Sequence, residues 1–118
     1  MAAKDAVGRY GEDVAARHLL EAGFDVLARN WRCSAGEIDI VARDGDVVVI
    51  CEVKTRSSLA FGLPAEAVTA KKAARLRELA LWWLREHPAG GSPVRFDVVS
   101  VLRSARGAAS VQHLRGAF

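Results

Sequence analysis

Two short apolar segments of this 118-residue chain carry ionisable groups where buried strands usually carry none. Residues 36–43 read GEIDIVAR and hold Glu37 and Asp39; residues 47–54 read VVVICEVK and hold Glu52 and Lys54. Their Val and Ile content predicts strands over Glu37 to Arg43 and Val47 to Lys54. Side chains alternate along a strand, so Glu37 and Asp39 share one face of the first, and Glu52 and Lys54 one face of the second. Whether the two faces coincide depends on the turn. Asp44-Gly45-Asp46 separates the strands, and a Gly in so short a polar break signals a hairpin. With Gly45-Asp46 as a two-residue turn, Asp44 pairs with Val47. Asp39 then lies opposite Glu52, and Glu37 opposite Lys54. A three-residue loop would slip the register by one and send the acids to opposite faces. The two-residue turn builds a site, and it is the register expected here.

That register has a cost. Val48 and Ile50 share the face of Glu52 and Lys54, so the surroundings are largely apolar. Two carboxylates ~4 Å apart repel by ~4 kcal/mol at an effective dielectric near 20. One lysine offsets part of this. A divalent cation offsets more, and hard oxygen ligands suit Mg²⁺ or Mn²⁺. Spacing alone leaves two arrangements open: a cation site, or a cross-strand ion pair of Asp39 or Glu37 with Lys54 on a solvated face.

The elements that must position these groups follow from periodicity. A first helix is predicted from Lys4 to Ala22, with Val7, Tyr10, Val14, Ala15, His18, Leu19 and Ala22 on one face and Gly23 as its left-handed cap. Phe24 to Asn30 is a first strand, and Arg32 to Gly36 a polar break. After the hairpin, Gly62-Leu63-Pro64 closes a loop. A second helix runs from an N-cap at Thr69 to His87, with Val68, Leu76, Leu79, Ala80, Trp83 and Leu84 on its apolar side. Pro88 to Pro93 is a linker. Val94 to Leu102 is a fourth strand, and Ser110 to Leu114 a short fifth. The order helix, three strands, helix, strand or strands implies an α/β sandwich, because a long helical crossover returns the chain to a mixed sheet.

Composition narrows the function classes. A chain of this size with 51% hydrophobic residues is expected to be one domain, 1–118, with a core of its own. Two cysteines cannot frame a disulfide scaffold. The longest apolar runs, Val47 to Cys51 and Leu79 to Leu84, are far too short to span a membrane. Met1 to Asp5 leads into no apolar stretch, so no signal peptide and a cytoplasmic location are expected. The net charge is +3, and the bases are unevenly placed. Ala70 to Glu86 carries five bases against two acids, and Val101 to Phe118 three arginines and no acid. Solvated surface accounts for such runs as readily as an acidic partner does.

The hairpin GEIDIVARDGDVVVICEVKTR resembles the active-site hairpin of the PD-(D/E)XK nuclease superfamily. There an acid on one strand precedes an acid-x-lysine on the next. Asp39 matches the first acid, and Glu52-Val53-Lys54 the second motif. Glu12, in GRYGEDVAARHL, resembles a helical acid of the archaeal Holliday-junction-resolvase branch. The whole chain is most similar to the small bacterial YraN family, through GEDVAARHLLEAGFDVLARNWR, GEIDIVA, EVKTR, AVTAKKAARL, RFDVVSV and the final GAF. Ile38 stands where the superfamily often has Pro. The resemblance implies a restriction-endonuclease-like core of order αβββαβ(β) and phosphodiester hydrolysis. Asp39, Glu52 and the Val53 carbonyl would hold Mg²⁺ or Mn²⁺, which lowers the pKa of a bound water. Lys54 would position that water or stabilise the transition state. Glu12 would complete a metal shell, or is simply an exposed helical acid. Lys72 matches a basic position of the family that would meet phosphate, with Arg56 and Arg95 as weaker candidates. The implied partner is nucleic acid, foremost branched or structured DNA, and the resolvase likeness suggests a homodimer. A catalytically silent nucleic-acid-binding module of the same fold is the alternative, since fold does not settle activity. A protein–protein adaptor is a third reading.

The remaining candidates read as structural. Cys33 and Cys51 lack zinc spacing, and Cys51 faces away from Glu52. His18, His87 and His113 form no metal or triad pattern. Gly90-Gly91 has no strand leading in and no helix following, as a phosphate loop would need. Lys71 points away from Lys72 on a helix and is solvated. Glu37 is expected to pair with Lys54 or Arg56. Trp82 and Trp83 cannot share a helix face, so one belongs to the core.

Overall fold

The computed structural model describes residues 6–56, 68–104 and 107–118. The elements are α1 (Ala6–Glu21), β1 (Asp25–Cys33), β2 (Gly36–Asp44), β3 (Val47–Arg56), α2 (Ala70–Glu86), β4 (Val94–Leu102) and β5 (Ser110–Leu114). The strands form one sheet in the order β1-β2-β3-β4-β5. Only β3 and β4 run parallel, because α2 carries the chain back between them. A mixed sheet flanked by helices is the architecture expected. The loop at Gly62-Leu63-Pro64 lies outside the described residues.

Both helix ends follow from local chemistry. At the end of α1, Gly23 has φ 91°, Phe24 N–H donates to Leu19 O at 2.9 Å, and Gly23 N–H donates to Leu20 O at 3.0 Å. This paired closure needs a left-handed residue, and Gly supplies it without a Cβ penalty. At the start of α2, Thr69 Oγ1 accepts from Lys72 N–H at 3.1 Å, as an N-cap should. One strand differs from expectation. β1 continues to Cys33, with Arg32 paired to Glu37 and Cys33 to Gly36, so the break shrinks to Ser34-Ala35. β1 is an edge strand whose residues are exposed or half-buried throughout, so polar residues there do not stop pairing.

Two cores sandwich the sheet. Ala15, Ala16 and Leu19 of α1 pack with Phe24, Ile40, Ala42, Val49, Cys51, Val99 and Val101. Leu76, Leu79, Ala80 and Trp83 of α2 pack with Ile38, Val41, Val48 and Ile50 on the other face. The alternation Val48, Ile50 against Val49, Cys51 divides β3 between them. Close approach of α1 depends on Gly11: a Cβ there would lie 1.7 Å from Thr55 Oγ1.

A buried acid ties the far edge together. Asp97 on β4 is fully buried. Its carboxylate accepts from Arg95 Nε at 2.9 Å and Nη2 at 3.0 Å, and from Gly116 N–H at 3.0 Å. Nε2 of the His113 ring lies 2.7 Å away. Arg95 Nη1 also reaches Asp44 at 3.0 Å. Burial works against the Asp97 charge, but the bonds from His113, Arg95 and Gly116 outweigh it and bring the carboxyl down to about 2.

Two outcomes are expected. Gly11→Ala should cost ~1–3 kcal/mol by denaturant unfolding, the range for overpacking, despite the better helix propensity of Ala. Thr55→Ala in the same chain should recover part of the loss. Asp97→Ala should cost ~3 kcal/mol, the low end for breaking a buried pair, because Arg95 is partly exposed and keeps Asp44. A carboxyl lowered by folding stabilises above its ordinary value of 3.8. The Asp97→Ala deficit should therefore be full above that pH and shrink as the pH falls toward 2.

Candidate active site

The hairpin turn is the two-residue one. Asp44 pairs with Val47, Gly45 takes φ 62°, and the β2–β3 ladder continues as far as Ile40 opposite Cys51. The register would next place Asp39 opposite Glu52, but there the ladder stops. Val53 N–H donates instead to the Asp39 carboxylate, Oδ2, at 2.9 Å. The strands part at the two acids.

The opposite neighbour of β2 contributes to this break. Asn30 falls across from Asp39, between the pairs Arg29–Ile40 and Trp31–Ile38, and it has φ 53°. Asn tolerates this left-handed conformation better than most residues. Alternation is interrupted at the same level: Ile38 packs in the α2-side core, but Ile40 packs in the α1-side core.

Glu52 follows Val48 and Ile50 onto the α2 side. Its residue exposure is 4%, and that of Asp39 is 8%. Lys54 Nζ lies 3.4 Å from Glu52 Oε2, and Lys72 Nζ from the first turn of α2 contacts the same oxygen. Burial raises the Glu52 pKa, and the Asp39 charge raises it further; the two lysines offset only part of this. Burial works against charge on Lys72, but the bond to Glu52 prevails and raises its pKa. Two acids and two ammonium groups thus gather where β2 and β3 separate.

The donors here are hard oxygens, which suit Mg²⁺ or Mn²⁺. Glu52's affinity for positive charge fits that chemistry. Among the described residues no group of three or more His, Cys, Asp and Glu side chains is set to hold a metal. A cation at this point would draw on Asp39, Glu52 and the Val53 carbonyl, without a third side-chain acid.

Other expected residues lie around or away from this centre. Glu12 is buried rather than exposed, beside Gly11 on α1, and forms no three-acid group with Asp39 and Glu52. Arg56 follows Lys54 on the same face of β3, and its carbonyl accepts from Arg103 N–H at 2.7 Å. Arg95 is engaged within the fold at the sheet's other face. It shares the α1-side face with Asp97, Val99 and Val101, away from Glu52, and is engaged by Asp97 and Asp44. Glu37 pairs with Arg32 at 3.0 Å. Cys51 is fully buried, as expected, and Trp83 is the core tryptophan, while Trp82 is exposed beneath the Arg85 guanidinium.

Two features escaped sequence reasoning. The contact of Lys72 with Glu52 joins residues twenty positions apart on separate elements, which no local pattern encodes. The Asp97–His113 bond left a faint signal: a lone acid in the apolar strand RFDVVSV, two residues from an arginine.

The family model described as "Uncharacterised protein family UPF0102" matches residues 11–101. The chain belongs to this family. It is the YraN family whose likeness the motifs carried. A UPF0102 protein of Frankia casuarinae is 58% identical over 118 residues, covering all of both chains. Another from Beutenbergia cavernae is 63% identical over 116 residues, 98% of each chain. A third, from Streptomyces griseus, is 60% identical over 119 aligned positions and 98% of each chain. No described helix of this UPF0102 protein is long and apolar enough to cross a membrane.

A pH-dependent stability follows from Glu52. An acid whose pKa is raised by folding destabilises the fold when ionised. Glu52→Gln should therefore stabilise the protein at neutral pH, since the half-buried Lys72 can turn to water. The gain should fade as the pH falls from Glu52's raised value to the ordinary carboxylate range. Thermal melts of parent and variant across pH 4 to 8 would show the two curves converging at the acid end.

Proposed function

We propose that this UPF0102 protein is a metal-dependent endonuclease of the PD-(D/E)XK type, hydrolysing phosphodiester bonds in DNA, with branched or otherwise structured DNA as the preferred substrate. The observation that carries the reading is the pair of buried acids, Asp39 and Glu52, at the opening of the hairpin with Lys54 against Glu52. A structural ion pair needs one acid, and a second one beside it only adds repulsion. The excess of bases on α2 is suited to a polyanion.

Asp39, Glu52 and the Val53 carbonyl would hold Mg²⁺ or Mn²⁺. Such an ion polarises the phosphate and makes a bound water more acidic. Asp39 is oriented for this by the Val53 N–H, which fixes its Oδ2. Lys54 places a cation where charge grows on the phosphoryl oxygens. The water oxygen bonds to phosphorus, one P–O ester bond breaks, and a proton passes to the departing alkoxide.

The test is a cleavage screen with Mg²⁺ and Mn²⁺ on duplex, single-stranded, flapped and four-way-junction DNA. Asp39→Asn and Glu52→Gln should each abolish cleavage while binding DNA as well as the parent or slightly better, since a charge that repels phosphate is gone. Lys54→Ala should keep Mn²⁺ binding by calorimetry and lose ~10²–10³-fold in single-turnover rate, the effect of one preorganised donor. A parent that binds DNA but cleaves none of these substrates is instead the catalytically silent binding module. If Asp39→Asn cleaves as fast as the parent, the activity belongs elsewhere.

A further inference from the structure

We propose that Lys72 is an exchangeable counter-ion of the site: its ammonium holds Glu52 until a DNA phosphate draws it away, so that phosphate and metal bind cooperatively. This rests on the nuclease reading above and names how that site is regulated.

Three observations lead to it. Lys72 and Lys54 both meet the same oxygen of Glu52. An ammonium in direct contact with that oxygen and a divalent ion ligated by it compete for the same lone pairs, so one must yield. The two lysines are not equally able to yield. Lys54 is on β3, two residues from Glu52, on a strand paired to β4 through Arg56. Lys72 comes from the first turn of α2, and its side chain is 42% exposed. Its long stem can swing to solvent or to a phosphate without disturbing backbone.

The neighbourhood favours that exchange. Thr69, Lys71, Lys72 and Arg75 line a surface hollow at this end of α2, so Lys71, expected to point away, shares this hollow with Lys72. A phosphate arriving there would meet Lys71 and Arg75 and attract the Lys72 ammonium. Glu52, buried and beside Asp39, would then have lost its nearest cation. A divalent ion restores the balance. By linkage, the factor by which phosphate strengthens metal binding equals the factor by which metal strengthens phosphate binding. Lys72 is thus a positioning residue that keeps the metal site closed in free protein.

The experiment is Mn²⁺ calorimetry on the full chain, with and without a short DNA duplex whose phosphorothioate linkages keep the charge and slow hydrolysis. In the parent, the duplex should tighten Mn²⁺ binding by about 5-fold or more, the usual lower range of such coupling. Lys72→Met should bind Mn²⁺ more tightly than the parent in the absence of DNA and show a several-fold smaller enhancement on adding it. Lys72→Arg keeps the charge but can grip Glu52 through a planar fork, so it should bind Mn²⁺ no more tightly than the parent without DNA and show a smaller enhancement on adding it; its retained charge also guards against a folding defect in the Met variant. Lys54→Met should strengthen Mn²⁺ binding in free protein yet keep the enhancement by DNA, because that lysine does not exchange. If Lys72→Met matches the parent in both titrations, the exchange is overturned and the metal site stands. If Mn²⁺ binds no form of the protein, with or without duplex, the nuclease reading and the exchange both fall.

Discussion

One backbone N–H decides the character of this fold. In an unbroken hairpin the Val53 N–H would face a main-chain carbonyl of β2. It donates instead to the side chain of Asp39. A hydrogen bond to a charged acceptor contributes ~1.5–3 kcal/mol, more than a neutral ladder bond, so the substitution is stable once it forms. Its consequence is geometric. The ladder ends at Ile40–Cys51, and two carboxylates are held at the opening with little water around them. Their mutual repulsion is then met by two lysines converging on Glu52.

Such an opening survives only because the strands are clamped on both faces. Val48 and Ile50 bind β3 to α2, while Val49 and Cys51 bind it to α1. A side chain at Gly11 would push α1 off the strand end at Thr55. The buried Asp97 network fastens β4 to β5 and the C-terminal turn. Asp97 and Glu52 lie on neighbouring strands, yet the protein treats them oppositely. Three groups of fixed geometry satisfy Asp97, and its pKa is lowered to about 2. Glu52 has mobile ammonium groups as partners, beside another acid, and its pKa is raised. Satisfied buried acids serve stability, whereas an under-neutralised buried acid is a candidate functional group. The contrast separates a fully satisfied acid from an under-neutralised one within a single sheet.

The hairpin was legible in advance because its signals are local. Gly45 in a short polar break set the register, and alternation then assigned Val48, Ile50 and Glu52 to one face. Thr69 and Gly23 marked helix ends for equally local reasons. What was not legible depended on contacts across the fold. The β1 boundary was misplaced because Arg32 and Cys33 look like a loop, yet an edge strand tolerates them. Arg95's tie to Asp44 runs between strands and has no local signal, although its other partner, Asp97, stands two residues away on the same strand. Asn30 gave no warning of its left-handed backbone across from Asp39. Lys72 could be matched to a basic position, but its partner Glu52 could not, since the crossover between them sets their distance.

That crossover also explains why the lysine comes from α2. A parallel β3–β4 pair forces the chain out of the sheet and back, so a helix must cover the face that carries Glu52. The α2 start lies near the end of β3 where Glu52 sits, as the Lys72 contact records. Its first turn is therefore an economical place for a cation facing the acids. A lysine there serves better than an arginine would. Its single ammonium makes no rigid bidentate fork with Glu52, and its hydration in solvent offsets the loss of the pair. A fixed arginine, like Arg95 on Asp97, would have locked the acid into the structure. A site whose acids must change partners needs the weaker and more mobile of the two cations.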